Sequence, residues 1–191
     1  MDAKNRRAYT GRSGQMAELL DLGCNVAIPE VDVGRDLFAF QDDEEGVTHI
    51  QVKTAGKAKS LANEGSYSAQ IDVPLDQLKM TGPPLYYVFA IRLTGKWVAF
   101  VVIERDRLNT LRVEKDIGTE YENKTTKKTY LKLTFSFTTD NVTCSGESFQ
   151  EYRDAWNSLP PLKPKEVQAD VVPIDDPGPP GAGQPDLPPQ A

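Results

Sequence analysis

The chain has 191 residues, of which 39% are hydrophobic, and a formal net charge of -6. That length supports one domain with a real core, and no stretch approaches the roughly 18 consecutive apolar residues of a membrane helix, so no membrane-spanning helix is expected. Its two cysteines, Cys24 and Cys144, exclude a disulfide framework, match no zinc-ligand spacing and suit a reducing cytoplasm.

Charge is unevenly spread. The tail from Leu159 onward holds five acids and two lysines, which leaves 23 acids against 20 bases in the body. Bases gather at Arg6, Arg7 and Arg12, at Lys53, Lys57 and Lys59, and at Lys124, Lys127, Lys128 and Lys132. Steering depends on where charge sits more than on its sum, so the balance leaves a DNA partner open.

Residues 1–12 are polar and basic with no apolar run behind them, and read as a flexible arm rather than a secretory leader. Ser13 can cap a short helix from Gly14 to Leu22, with Met16, Leu19 and Leu20 at helical spacing and Gly23 as its stop. Asn25 to Pro29 reads as a brief strand. Arg35 to Phe40 and Val47 to Thr54 are two more, joined by the acidic turn Asp42-Asp43-Glu44-Glu45 that ends at Gly46. A Gly/Ser/Lys-rich loop, expected to be mobile, follows from Ala55 to Gly65. Ser68 to Val73 predicts a further strand, and Pro74 to Met80 one or two helical turns with proline in the first.

Leu85 to Leu93 and Lys96 to Ile103 are the most apolar runs, and Thr94-Gly95 between them predicts a tight hairpin. Arg105 to Leu111 reads as a short helix or turn. Leu131, Leu133, Phe135 and Phe137 alternate with polar residues, the pattern of a half-buried strand. Glu147 to Leu159 predicts a closing helix, with Ser148 and Glu151 as a capping box and Phe149, Tyr152 and Trp156 as one apolar face. Trp97 and Trp156 read as core aromatics. Residues 160–191 hold ten of the fourteen prolines, a composition that cannot bury a core and predicts a disordered tail, either a passive terminus or a ligand for a protein partner. The folded domain thus spans 13–159. Its order of elements predicts an α/β (α+β) domain: a central mixed β-sheet flanked by helices.

One constellation carries chemistry. Alternation puts His49, Gln51 and Lys53 on one face of their strand and Ile50 and Val52 on the other. A hairpin centred between Asp43 and Glu44 sets Asp36 opposite Gln51, about 5 Å apart at Cβ. A carboxylate and an amide oxygen at that spacing can share one Mg²⁺ (or Mn²⁺), with water and a substrate phosphate completing its shell. Lys53 then orients the attacking water or offsets charge on the phosphate. Glu18, on the first helix, is the best additional acid. The same short pattern recurs at Gln77-Leu78-Lys79 and Glu122-Asn123-Lys124, but neither lies on a strand behind an acidic one. His49 reads as structural, and Lys57 and Lys59 as candidate phosphate contacts.

The segments Gly14-Gln15-Met16-Ala17-Glu18-Leu19-Leu20, Gly23 to Pro29, Gly34-Arg35-Asp36-Leu37 and Ile50-Gln51-Val52-Lys53-Thr54-Ala55 resemble the PD-(D/E)XK nuclease superfamily. The resemblance extends over roughly residues 11–104 and is to small bacterial and phage-type members with a Gln-x-Lys motif. It implies a restriction-endonuclease-like core, Mg²⁺ dependence and a DNA substrate. By it Asp36 and Gln51 are metal ligands, Lys53 is the catalytic lysine, and Glu18 or Gln15 is the helix residue. The expected activity is endonucleolytic, and cutting both strands from so small a domain requires a homo-oligomer. The alternative is an inactive module of the same fold that binds DNA or a protein.

Overall fold

The structure, a computed structural model, describes residues 13–30, 35–41, 46–55, 58–61 and 65–160. The expected basic arm, the acidic turn at 42–45, Lys57 and the proline-rich tail lie outside these residues. Among the described residues the order is helix α1 (13–21), then β1 (Asn25–Ala27), β2 (Leu37–Phe40), β3 (Thr48–Thr54), β4 (Ala58–Ser60) and β5 (Tyr67–Pro74). Helix α2 (Leu75–Lys79), β6 (Leu85–Leu93), β7 (Lys96–Glu104) and α3 (Arg105–Lys115) follow. The chain then adds β8 (Thr119–Glu122), β9 (Thr129–Phe137), β10 (Val142–Cys144), β11 (Glu147–Ser148) and two short 3₁₀ turns. No helix among the described residues is long and apolar enough to cross a membrane.

The expected α+β class and central mixed sheet are both present. The first sheet runs β1-β2-β3-β6-β7, with β3 and β6 parallel and its other pairs antiparallel. The tight hairpin joins β6 to β7, and both turn residues take positive φ, Thr94 at 47° and Gly95 at 88°, as a type I′ connection requires. Strand β6 is buried from Leu85 to Ile91 because it is an interior strand covered on both faces. Tyr87, Phe89 and Ile91 face one core while Tyr86, Val88 and Ala90 face the other.

One face of this sheet is covered by α1 through Leu19 and Met16, together with Trp156 and Leu159. The other face was expected to meet helices. It meets a second, antiparallel sheet, β11-β10-β9-β5-β4 with β8 paired to β9, and α2 and α3 fill in through Leu75, Leu78, Leu108 and Leu111. Strand β4 lies inside the loop expected from Ala55 to Gly65, where its backbone pairs with β5. Strands β8 and β10 were not anticipated either. Each is four residues or fewer and too short to show a period.

The closing helix expected over Glu147–Leu159 does not form. Phe149 and Trp156 are seven residues apart, and a helix would hold both on one face. In the fold Phe149 enters the core between the sheets and Trp156 the core beneath α1, so the chain must cross the sheet edge. It does so through an extended Arg153, which bridges Val101 of β7, and a left-handed turn at Asp154, φ 49°. Asp154 then exchanges bonds with Phe100, its carboxylate accepting from the Phe100 N–H at 2.8 Å and its own N–H donating to the Phe100 carbonyl at 2.8 Å. Tertiary burial overrides the local capping signal.

Both cysteines are buried and unpaired with each other. Burial pushes the Cys144 thiol up to about 11 and raises Cys24 as well. Neither thiol should react with a disulfide reagent faster than the fold opens, a rate readable by mass-resolved labelling; an immediate equivalent of reaction in native buffer would contradict this burial. Because the folded value of Cys144 lies above its unfolded one, its contribution to stability is intact below pH 9 and is lost as pH rises through about 11.

Candidate active site

Strands β2 and β3 pair with Leu37 opposite Ile50, Phe38 opposite His49 and Ala39 opposite Thr48. This register, continued by one residue, sets Asp36 against Gln51 as the hairpin midpoint predicts. Leu37, Ile50 and Val52 face α1 and are buried there. Asp36 and Gln51 therefore turn to the opposite face, toward the second sheet. Both are buried, at 6% and 5% exposure, so their polar atoms need partners inside the protein.

They find them in each other. One carboxylate oxygen of Asp36, Oδ2, accepts from Gln51 Nε2, and the same oxygen accepts from the Val52 N–H at 2.8 Å. The backbone N–H of Asp36 donates to the Ile50 carbonyl at 2.8 Å. The other end of the Gln51 amide, Oε1, accepts from Gln77 Nε2 at 2.9 Å. Asp36, Gln51 and Gln77 thus form a chain of side-chain bonds running from β2 across β3 to α2. Lys53, half-buried, lies two residues beyond Gln51 on the same face, beside Phe89 in the β3–β6 register.

Gln77 is the residue that sequence reasoning set aside, as part of a repeat of the motif away from any acidic strand. Its place depends on β5 and α2 folding over β3, a long-range event with no local signal. Tyr87, register partner of Gln51 on β6, was also missed. Its hydroxyl is buried without a hydrogen-bond partner, and burial raises its pKa so that the phenol stays protonated.

His49 packs edge-on against Phe38, with ring centroids 5.2 Å apart. Burial and the Arg35 charge both lower its pKa, which favours the neutral ring and fits its structural reading. On α1, Glu18 is exposed, whereas Gln15 is fully buried and neither of its amide atoms has a hydrogen-bond partner. Gln15 shares a helix face with Leu19, one turn on, and so points at the sheet. The first turn of α1 is fixed by Gly14, where an added Cβ would lie 2.5 Å from Trp97 Nε1. Lys59 is exposed on β4, opposite Ser68 of β5.

No protein-family model matches this chain, and no curated protein does. Among solved structures it is similar to a bacterial homing endonuclease, I-Ssp6803I, at 16% sequence identity and a TM-score of 0.49, over 82% of this chain and 91% of that one.

Removing the Gln77 amide leaves a buried acceptor on Gln51 without its donor. Gln77→Leu should lower unfolding stability by about 1–3 kcal/mol, measured by urea titration. Unchanged stability would mean that water reaches Gln51 directly.

Proposed function

We propose that this chain is a divalent-metal-dependent DNA endonuclease of the PD-(D/E)XK type, with Asp36, Gln51 and Lys53 as its active residues. The observation that carries the reading is the buried Asp36–Gln51 pair on adjacent strands, with Lys53 next on the same face. A buried carboxylate costs stability unless it is well paired, and this one lies against a strand that carries a lysine on the same face.

The donor set suits a hard cation. Asp36 supplies carboxylate oxygen and Gln51 amide oxygen, the donor types that hard divalent cations take. Asp36 and Gln51 would hold Mg²⁺, whereas the orphaned amide of Gln15 lies on the α1 side of the sheet, opposite to theirs. Bound there, Mg²⁺ supplies an acidified water and positive charge at the scissile phosphate. Asp36 is fixed for this by the Val52 N–H. Lys53 contributes its ammonium to the phosphate or orients the attacking water.

Gln51 has a second task. Its oxygen now faces Gln77 and its NH₂ faces Asp36. To offer oxygen beside Asp36, the amide must turn over and donate to Gln77 instead. Gln77→Glu can only accept in that contact, so it should favour the turned amide. The expected result is a larger Mg²⁺-induced rise in Tm than for the parent chain, since a ligand that binds only the folded state stabilises it in proportion to affinity. An equal or smaller rise would remove Gln51 from the ligand set.

The direct test is plasmid cleavage with Mg²⁺ or Mn²⁺. Cutting that disappears in both Asp36→Asn and Lys53→Ala supports the enzyme. DNA retention without cutting in the parent chain supports the inactive binding module, which the single carboxylate at the site favours.

A further inference from the structure

We propose that the outward face of the second sheet, with the lysine turn between β8 and β9, seats the major groove of duplex DNA. The choice of DNA as the polyanion rests on the nuclease reading above; the surface itself rests on separate residues.

Alternation sorts these strands cleanly. Leu131, Leu133, Phe135 and Phe137 of β9 face the core, as do Ala69 and Ile71 of β5. Their neighbours therefore face out, and most can donate or accept hydrogen bonds. Ser68, Ser136, Thr143 and Ser148 align in one row across β5, β9, β10 and β11, and Lys59 extends it on β4. Gln70 and Thr134 form the next row, 3.4 Å apart at their side-chain polar atoms. Asp72 faces Lys132, and beyond them Tyr121 and Tyr130 stack at 5.8 Å, with the Lys132 ammonium 4.8 Å over the Tyr121 ring.

The acids are sorted the other way. Glu120 and Glu122 share the register parity of Leu131, not of Lys132, and Glu120 pairs with Arg112 of α3 at 2.6 Å. Glu147 likewise lies opposite Cys144. In a chain of net charge -6, the strands of this face present one outward carboxylate, Asp72, and it lies beside Lys132.

The turn concentrates positive charge. Lys124, Lys127 and Lys128 are all exposed, and among the described residues they form one ion pair, Lys127 with Glu122 at 3.5 Å. Asn123 holds the turn in shape, its side-chain oxygen accepting from the Thr125 and Thr126 N–H groups at 3.0 Å each and its carbonyl from the Lys127 N–H at 2.8 Å. The lysines are thus presented on an ordered tip. Beyond the Pro74–Tyr130 pair β5 ends, and β8 and β9 alone carry the turn. A two-stranded tip fits the roughly 12 Å width of a major groove, its lysines meeting phosphates while the hydroxyl and amide rows behind it face the duplex.

A short run of pairings links the strand behind the tip to the candidate site. Tyr130 pairs with Pro74, Pro74 leads directly into α2, and α2 carries Gln77 to Gln51. DNA on this face would pass the end of the molecule where Asp36 lies.

The test uses the full chain and a 30-base-pair duplex in EDTA, followed by fluorescence anisotropy across a salt titration. The triple variant Lys124→Gln/Lys127→Gln/Lys128→Gln should bind more weakly, with a log K against log salt slope shallower by about 2.7, the amount for three lost phosphate contacts. Lys96→Gln, at the start of β7, should leave the slope within about 1 of the parent, and thermal melts check that all variants fold. An unchanged slope in the triple variant overturns the proposal, as does tighter binding to single-stranded RNA of equal length than to the duplex. Plasmid cleavage is scored separately. Cleavage with an unaffected triple variant refutes this surface and spares the nuclease. Binding that depends on the three lysines, with no cleavage, refutes the nuclease and spares the surface.

Discussion

Asp36→Asn should leave the fold standing and remove cleavage. The asparagine keeps the shape of the side chain and one oxygen for the Val52 N–H, and it removes a buried charge whose desolvation opposes folding. Stability should stay within about 1–2 kcal/mol of the parent in urea titration. Cleavage should fall by about 10²-fold or more, the scale of losing one preorganised electrostatic contact. Asp36→Ala differs in one respect. It strips the acceptor from two buried donors, Gln51 Nε2 and the Val52 N–H, so it should also cost about 2–5 kcal/mol in folding. Comparing the two separates chemistry from architecture. Full cleavage by a folded Asp36→Asn protein would eliminate the proposed active site.

Phe135→Ala should be strongly destabilising. Phe135 is fully buried where the two sheets meet, with ring centroids 5.5 Å from Phe89 of the first sheet and 5.6 Å from Phe149 of the crossing segment. Truncation leaves a cavity shared by three segments distant in sequence and should cost about 3–5 kcal/mol. For a domain of this size the thermal midpoint should drop by roughly 10 °C. The outward neighbour Thr134→Ala should change stability by no more than about 0.5 kcal/mol. A single cooperative transition moved as a whole is expected, because both sheets share one core. Two transitions, with only one shifted, would mean that the sheets fold separately.

The pattern of apolar residues by itself determined most of the elements, and one long-range contact. The β6–β7 hairpin follows from two apolar runs around Thr94-Gly95. The Asp36–Gln51 pairing follows from the midpoint of an acidic turn, because strand alternation and antiparallel register are local rules that short sequence carries within it. Other features could not be read locally. Nothing in Glu147–Leu159 announces that Phe149 and Trp156 belong to different cores, and its capping residues argue for the helix that burial forbids. Nothing in Gln77-Leu78-Lys79 announces that α2 will be folded over β3, so a repeat of the motif set aside as coincidental supplies the partner of Gln51. The second sheet was hidden for the same reason, since β4, β8 and β10 are four residues or shorter and gain their strand form only from a neighbour's unpaired backbone. Hydrophobic periodicity records which side of an element is buried, whereas tertiary structure alone decides what it is buried against.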